Sequence, residues 1–430
     1  MQSSHRNDMP ESHINYPTLR LLDIKRVQEG DDQYLCISDP LGLNPSEVLV
    51  PIHLAPFLSL CDGEHDVSAI RTALDLRIGL SLSSEDAQNI IHELDEALML
   101  EGPRLEEAQS DALKSYHMSP FRTPRLAGKV YPSGPDALEK ALDSYCQQFP
   151  APRAISRETA DRVVGLLSPH IDFRRGHRVY AETWQSIEEA FPEFEQVFLL
   201  GTDHSGSGGR VTLTQQNYAT PWGVLPNDPD LVNTLIKGLG KKFALGEELH
   251  HVNEHSLELA AVWLHYFLRR AKGRTSYKNM PTVIPILCGS MTPYIYGQEN
   301  PSQDDNFATL LTTLDDAMKK RRTLIVVAGD LAHVGPAFGD SRTWDEPART
   351  VLRNADYASM AAMCGADAEG FFQGIQEEQD ARKICGLTPI YLALRLMGAK
   401  VAGERLSYEQ CAADSAGTSF VSIAGVMWSR

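Results

Sequence analysis

Four stretches of this chain repeat one pattern: a short apolar run, a stop on small residues, then a polar or metal-capable side chain. VVGLLSPHID leads to His170 and Asp172, and QVFLLGTDH to Asp203 and His204. TVIPILCGS leads to Cys288, and LIVVAGDLAH to Asp330 and His333. Apolar β-branched runs of this length, separated by helix-length segments, predict parallel strands buried on both faces. The fold class is therefore α/β, a mainly parallel sheet flanked by helices. In an open sheet of this kind the ligand site lies beyond the carboxyl ends of the strands. Polar groups spread over more than 150 residues of sequence, His170 to His333, should then meet in one crevice.

The pattern changes before that region. The first 16 residues are polar and are expected to be disordered. Residues 17–105 open with strand-like LRLLDIKRV and YLCISDP. They continue with a helical reading of SEVLVPIHLAPFLSLCDG, a second helix in DVSAIRTALDL capped by Asp66, and a third in SSEDAQNIIHELDEALML starting at Ser84. Two strands and three short helices predict a small α+β module of winged-helix type. Residues 106–120 are mixed and polar and are expected to be a linker, with one large α/β domain over 121–430.

Composition excludes several classes. At 430 residues and 42% hydrophobic, the chain can bury a large core in two or more domains. It has no run of about 18 apolar residues, the length that spans a bilayer, and no apolar signal core at its start. The expectation is a cytoplasmic protein with no membrane partner. Seven cysteines are few and odd in number, so a secreted disulfide framework is not expected. A formal charge of −17 argues against binding nucleic-acid backbones. The third helix of the N-terminal block is acidic and lacks Lys and Arg, which would repel phosphate and argues against that block as a DNA reader.

Candidate chemistry centres on the strand ends. His204 lies 204 − 170 = 34 residues after His170, one strand–helix–strand unit, so two imidazoles at adjacent strand ends can converge. Imidazole suits Fe, Cu, Zn and Ni. Cys385, in KICGLTPIYLALRLM, precedes Gly386 and an apolar helix whose N-terminus favours a thiolate, and it is the third metal-ligand candidate. In NEHSLELAAVWLHYF a helix start at Asn253 or Glu254 puts Glu254, His255 and Glu258 near the crevice; His251 and His255, four apart, are a weak metal pair. There is no HExxH and no GxSxG, so neither a zincin protease nor an α/β-hydrolase triad is supported.

The motifs of residues 121–430 resemble the Memo family, component B of the AmmeMemoRadiSam grouping. AGKVYPSGPDAL is similar to that family's AGxxYP segment, SPHIDFRRGHRVYAETW to PHAGYxYSG, LLGTDHSG to LGPSHH, and YATPWGVLPND to its TPLG segment. NEHSLELAAVWL, VIPILCGS, VVAGDLAHVG, ICGLTPIYLAL and SFVSIAGVMW follow in colinear order. The resemblance implies a fold like that of the LigB-type class III extradiol dioxygenases, which use non-haem Fe(II), with metal ligands at His170, His204 and Cys385. It implies site-lining roles for His333 and His255. The chain departs from the family at PHID, GTDH and LAG, which place Asp172 and Asp203 beside the histidines and Leu126 where the family has His. The added carboxylates are candidates to orient the imidazoles, as is Glu254. The block 17–105 resembles the PqqD-like peptide-recognition fold through CDG, VSAIRTAL and ELDEALMLEGP.

The leading expectation is a metal-dependent oxidoreductase of extradiol-dioxygenase type. Its metal is iron, with copper as the second choice, held by His170, His204 and Cys385. His333 acts as general acid or base, with His255 and Asp330 tuning it. Its substrate is a small molecule or a peptide. The competing expectation is a non-enzymatic metal- or peptide-binding accessory protein working with a radical-SAM partner. A third is a scaffold whose site has decayed.

Overall fold

The structure is a computed structural model describing residues 14–153, 155–271, 280–297 and 299–430; most of the expected disordered segment, residues 1–13, lies outside them. The chain divides into two compact units, Met1–Tyr116 and His117–Arg430.

The first unit holds a three-stranded antiparallel sheet of β1 (Asp23–Glu29), β2 (Asp32–Ser38) and β3 (Val48–Pro51). The helices Ala55–Ser59, Val67–Ile78 and Ser84–Glu96 pack with it around Ile37, Phe57, Ile70, Leu74 and Leu100. The helix expected over 46–63 is a correction. Its first part is β3, because Val50 precedes Pro51 and a residue before proline is pushed towards extended backbone. Asp66 caps the next helix as expected, accepting from Ala69 N. The third helix starts at Ser84 as expected, with Ser83 as its cap: the Ser83 hydroxyl accepts from Asp86 N. Most of the expected linker, 106–120, lies within one helix, Pro103–Met118, and the division between units falls inside that helix.

In the second unit, β4 (Val163–Ser168), β5 (Gln196–Thr202), β9 (Thr282–Cys288) and β10 (Thr323–Ala328) are the four expected strands, and they lie parallel in the order β4–β10–β5–β9. Antiparallel strands extend this core. β6 (Val211–Leu213) pairs with β9; β13 (Phe420–Ser429) pairs with β4, β11 (His333–Val334) and β12 (Ala402–Ala412). A separate ribbon is formed by β7 (Tyr218–Thr220) and β8 (Gly223–Leu225). Alternation along β5 and β10 makes three layers. Phe198, Leu200, Ile325 and Val327 face one apolar core; Val197, Leu199, Leu324 and Val326 face another. Helices cover both faces, which is why the strands read as unbroken apolar runs. All seven cysteines are free thiols. No helix among the described residues is long and apolar enough to cross a membrane.

A buried ionic clip ties the start of this unit to the site. Glu258 and Arg122, each 1% exposed, form an ion pair. Glu258 also accepts from Arg125 N (2.9 Å), Leu126 N (2.8 Å) and the Tyr131 hydroxyl (2.6 Å). Arg122 donates onward to the carbonyls of His251 (2.8 Å) and Glu254 (3.0 Å). Removing one partner of such a pair leaves the other charge buried and uncompensated. Glu258→Ala should therefore cost roughly 3–5 kcal/mol of stability, read as a lowered urea midpoint; a loss within experimental error contradicts this account.

Candidate functional site

His170 stands two residues beyond the end of β4 and is 1% exposed. Its backbone N–H donates to Asp330 Oδ1 at 2.8 Å, and its Nδ1 lies 3.0 Å from the Ala328 carbonyl. A carbonyl only accepts, so Nδ1 carries a proton and Nε2 is the nitrogen turned to Cys385. The spacing of the two strand-end histidines puts them on adjacent strands; the structure does not. β10 inserts between β4 and β5, and Asp330 at its end grips the His170 loop. The His170 and His204 rings still meet edge to face, with centroids 5.1 Å apart.

His204 follows β5, and one buried carboxylate orients it. Glu254 accepts from His204 N at 3.0 Å and lies 3.1 Å from its Nδ1. The same carboxylate lies 3.1 Å from Nδ1 of His255. Burial works to protonate Glu254, but the rings of His204 and His255 outweigh it and hold its pKa well below the usual range. Both rings are thus held through Nδ1 and stack 4.6 Å apart, and His204 also hydrogen-bonds the Cys385 sulfur. Ring nitrogens of His170, His204 and His255 all lie within 4.8 Å of one another. His255, expected to tune His333, instead joins the two strand-end histidines. The helix begins at Ser256 rather than at Asn253 or Glu254, so His255 sits at its cap with its ring free of the helix face.

Cys385 approaches from the opposite wall, its Sγ 3.2 Å from His170 Nε2. Burial alone would push this thiol up, but the charges of His170 and His333 hold it well below an ordinary cysteine. Burial likewise opposes a charge on His170, and the Cys385 sulfur and Asp330 raise its pKa to about 9. His333 is partly buried, with Nδ1 3.2 Å from the carbonyls of Leu331 and Lys383. Asp330, expected to tune His333, is spent on His170: its Oδ2 lies 3.8 Å from His170 Nε2.

The two added carboxylates do not orient the expected imidazoles. Asp172 caps the helix Phe173–Gln185 through Arg175 N and pairs with the Arg175 side chain. A residue two places past the histidine on a helix start is committed to capping. Asp203 is buried and lies 2.9 Å from His250 Nδ1, so it serves His250 and not His204. His251 is not a ligand either. The Tyr218 hydroxyl donates to its Nδ1 (2.6 Å), its Nε2 donates to the Thr212 carbonyl (3.0 Å), and burial lowers its pKa to about 3. Cys288 is a buried thiol that burial pushes up. The sequence placed Asp203 at a strand end but missed its partner His250, which follows no apolar run.

A cleft of about 450 Å³ opens beside the cluster, with His204 and Cys385 in its wall. That is the size of a small-molecule site.

The family described as Memo-like protein matches residues 122–427 of the chain. A MEMO1 family protein of Aquifex aeolicus is 25% identical over 400 residues, covering 91% of this chain and 94% of its own. One from Archaeoglobus fulgidus is 24% identical over 309 residues, covering 72% and 99%. One from Thermus thermophilus is 26% identical over 339 residues, covering 77% and 91%. The second unit has 430 − 116 = 314 residues, so the 400-residue match extends into the first unit as well.

Proposed function

The chain belongs to the Memo family, and on that footing we propose that it is a metal-dependent oxidoreductase of extradiol-dioxygenase type. The observation that carries this reading is the convergence of three imidazoles and one depressed thiol beside an open cleft. The metal is held by His170, His204 and Cys385, with His255 facing the same point. Two imidazoles and a thiolate suit iron, with copper as the second fit. Bound there, iron supplies Lewis-acid and one-electron redox chemistry.

The protein's own groups do the rest. Ala328 and Glu254 fix the ring planes through Nδ1, and Asp330 holds the His170 backbone. His333, whose Nδ1 lies 3.2 Å from the carbonyl of the cleft-lining Lys383, moves a proton as an imidazole can near pH 7. His204 and His255 are partly exposed, with side chains 36% and 41% accessible, so a substrate can reach the cluster.

Purification without oxygen, elemental analysis and an O2-uptake assay test the reading. One iron per chain and substrate-dependent uptake support it. Metal without uptake across a panel of small molecules supports a second reading, an accessory protein working with a radical-SAM partner. One observation favours that reading: β1 is an edge of the first unit's sheet, where an extended peptide could add as a strand in PqqD-like fashion.

A further inference from the structure

The turn that leads into Cys385 is strained. Gln379 (φ 52°), Asp380 (φ 49°) and Lys383 (φ 53°) all occupy the left-handed region without being glycine. An L-residue is disfavoured there because its Cβ crowds the backbone. Such strain persists only where surrounding bonds over-determine it, and it gathers at ligand sites. Here Asp380 N donates to the Ile375 carbonyl (3.0 Å), Lys383 N to the Asp380 carbonyl (2.8 Å), and Ile384 N to Asp380 Oδ1 (2.9 Å). The result is a wall of the cleft, made by Gln379, Asp380, Lys383 and Ile384. Opposite stand Met291, Ile295 and Tyr296, and the Tyr296 hydroxyl donates across to the Gln379 carbonyl at 3.0 Å.

The cleft combines polar groups with a stretch of apolar wall. Its carboxyl groups are Asp203 and Asp380. Asp203 is committed to His250, and the ammonium of Lys383 to Asp340. Asp380 forms no ion pair among the described residues. Burial pushes its pKa up to about 6, against the Ile384 N–H that lowers it. A cation brought to it would be attracted by a carboxylate that has lost part of its hydration. Ile295, Ile384 and Leu387 supply apolar wall in the cleft that also holds that carboxylate and Cys385.

We propose that the cleft binds a small organic amine, its ammonium on Asp380, its apolar stem along Ile295, Ile384 and Leu387, and its far end at His204 and Cys385. This rests on the metal-centre reading for what becomes of the ligand, and not for its binding.

The probes are hexylamine, hexanol and hexanoate, titrated into the protein as purified and followed by ligand-observed NMR. Hexylamine should bind at least about tenfold more tightly than hexanol, the usual advantage of a hydrogen bond to a charged group, and hexanoate should bind more weakly than either. Asp380→Asn keeps an acceptor for Ile384 N and should bring hexylamine down to the level of hexanol, leaving hexanol unchanged. Asp380→Ser should do the same, with circular dichroism and metal content matching the parent. Equal binding of the three probes overturns the proposal, as does an amine preference that survives both variants. Repeating the titration after chelation separates the two readings. An amine preference retained without metal belongs to Asp380, whatever the metal does; one abolished by chelation alone belongs to the ion and overturns the proposal.

Discussion

A variant with His170, His204 and Cys385 all replaced by alanine is expected to bind no Fe(II) at concentrations that saturate the parent. Zinc-finger sites bind with roughly 10–16 kcal/mol for four ligands, so each ligand is worth about 3 kcal/mol, on the order of 100-fold in affinity. Each single substitution should then weaken binding by about that factor, and the triple variant should leave only His255 of this cluster. The fold should survive. His170 follows β4 and His204 follows β5, so neither lies within a strand, and the apolar alternation of β5 and β10 that forms the two cores is untouched. Circular dichroism and anaerobic Fe(II) titration read the two quantities separately. A triple variant that binds Fe(II) as tightly as the parent sinks the assignment.

The parts legible in the sequence are those governed by burial on two faces. β4, β5, β9 and β10 each read as an apolar run because helices cover both sides of the sheet, and the polar residue at each run's end marks the crevice. What periodicity could not give is the order of the strands. The 34-residue spacing of His170 and His204 suggested neighbours, yet β10, more than 100 residues further on, pairs with both β4 and β5. That pairing is decided by three-dimensional packing. The role of His255 was hidden for a local reason. The short helix His250–Asn253 ends at Glu254, and a new helix starts at Ser256. The sequence reading starts that helix at Asn253 or Glu254, two or three residues early, which puts His255 in its first turn instead of at its cap. Asp172 misled in the opposite direction: adjacency to a histidine suggested support for the ring, whereas the backbone N–H groups of the following helix compete for the carboxylate and win. The antiparallel partners β12 and β13 pair with each other and with β4, and the sequence showed β13 only as a family motif.

His333→Ala should keep its metal and its stability and lose turnover by a factor on the order of 10²–10⁴, the usual contribution of a general acid or base. Its position supports a role in proton movement. The strand residue His333 pairs with Val421, so the backbone is fixed on β13. Its Nδ1 is engaged by the carbonyls of Leu331 and Lys383, which fixes the tautomer and leaves Nε2 as the exchangeable site. The Lys383 carbonyl belongs to the strained turn that lines the cleft, so the ring is tied to the wall a substrate would touch. His333 also helps hold the Cys385 thiol below its ordinary pKa, so its removal should shift thiol reactivity in the metal-free protein upward in pH, a readout a merely packed residue would not move. The measurement is steady-state turnover alongside metal content and the pH profile of Cys385 alkylation after chelation. Loss of metal in this variant makes His333 a ligand. Unchanged turnover with metal intact returns it to a residue that ties a loop, held by the same two carbonyls that here set its tautomer.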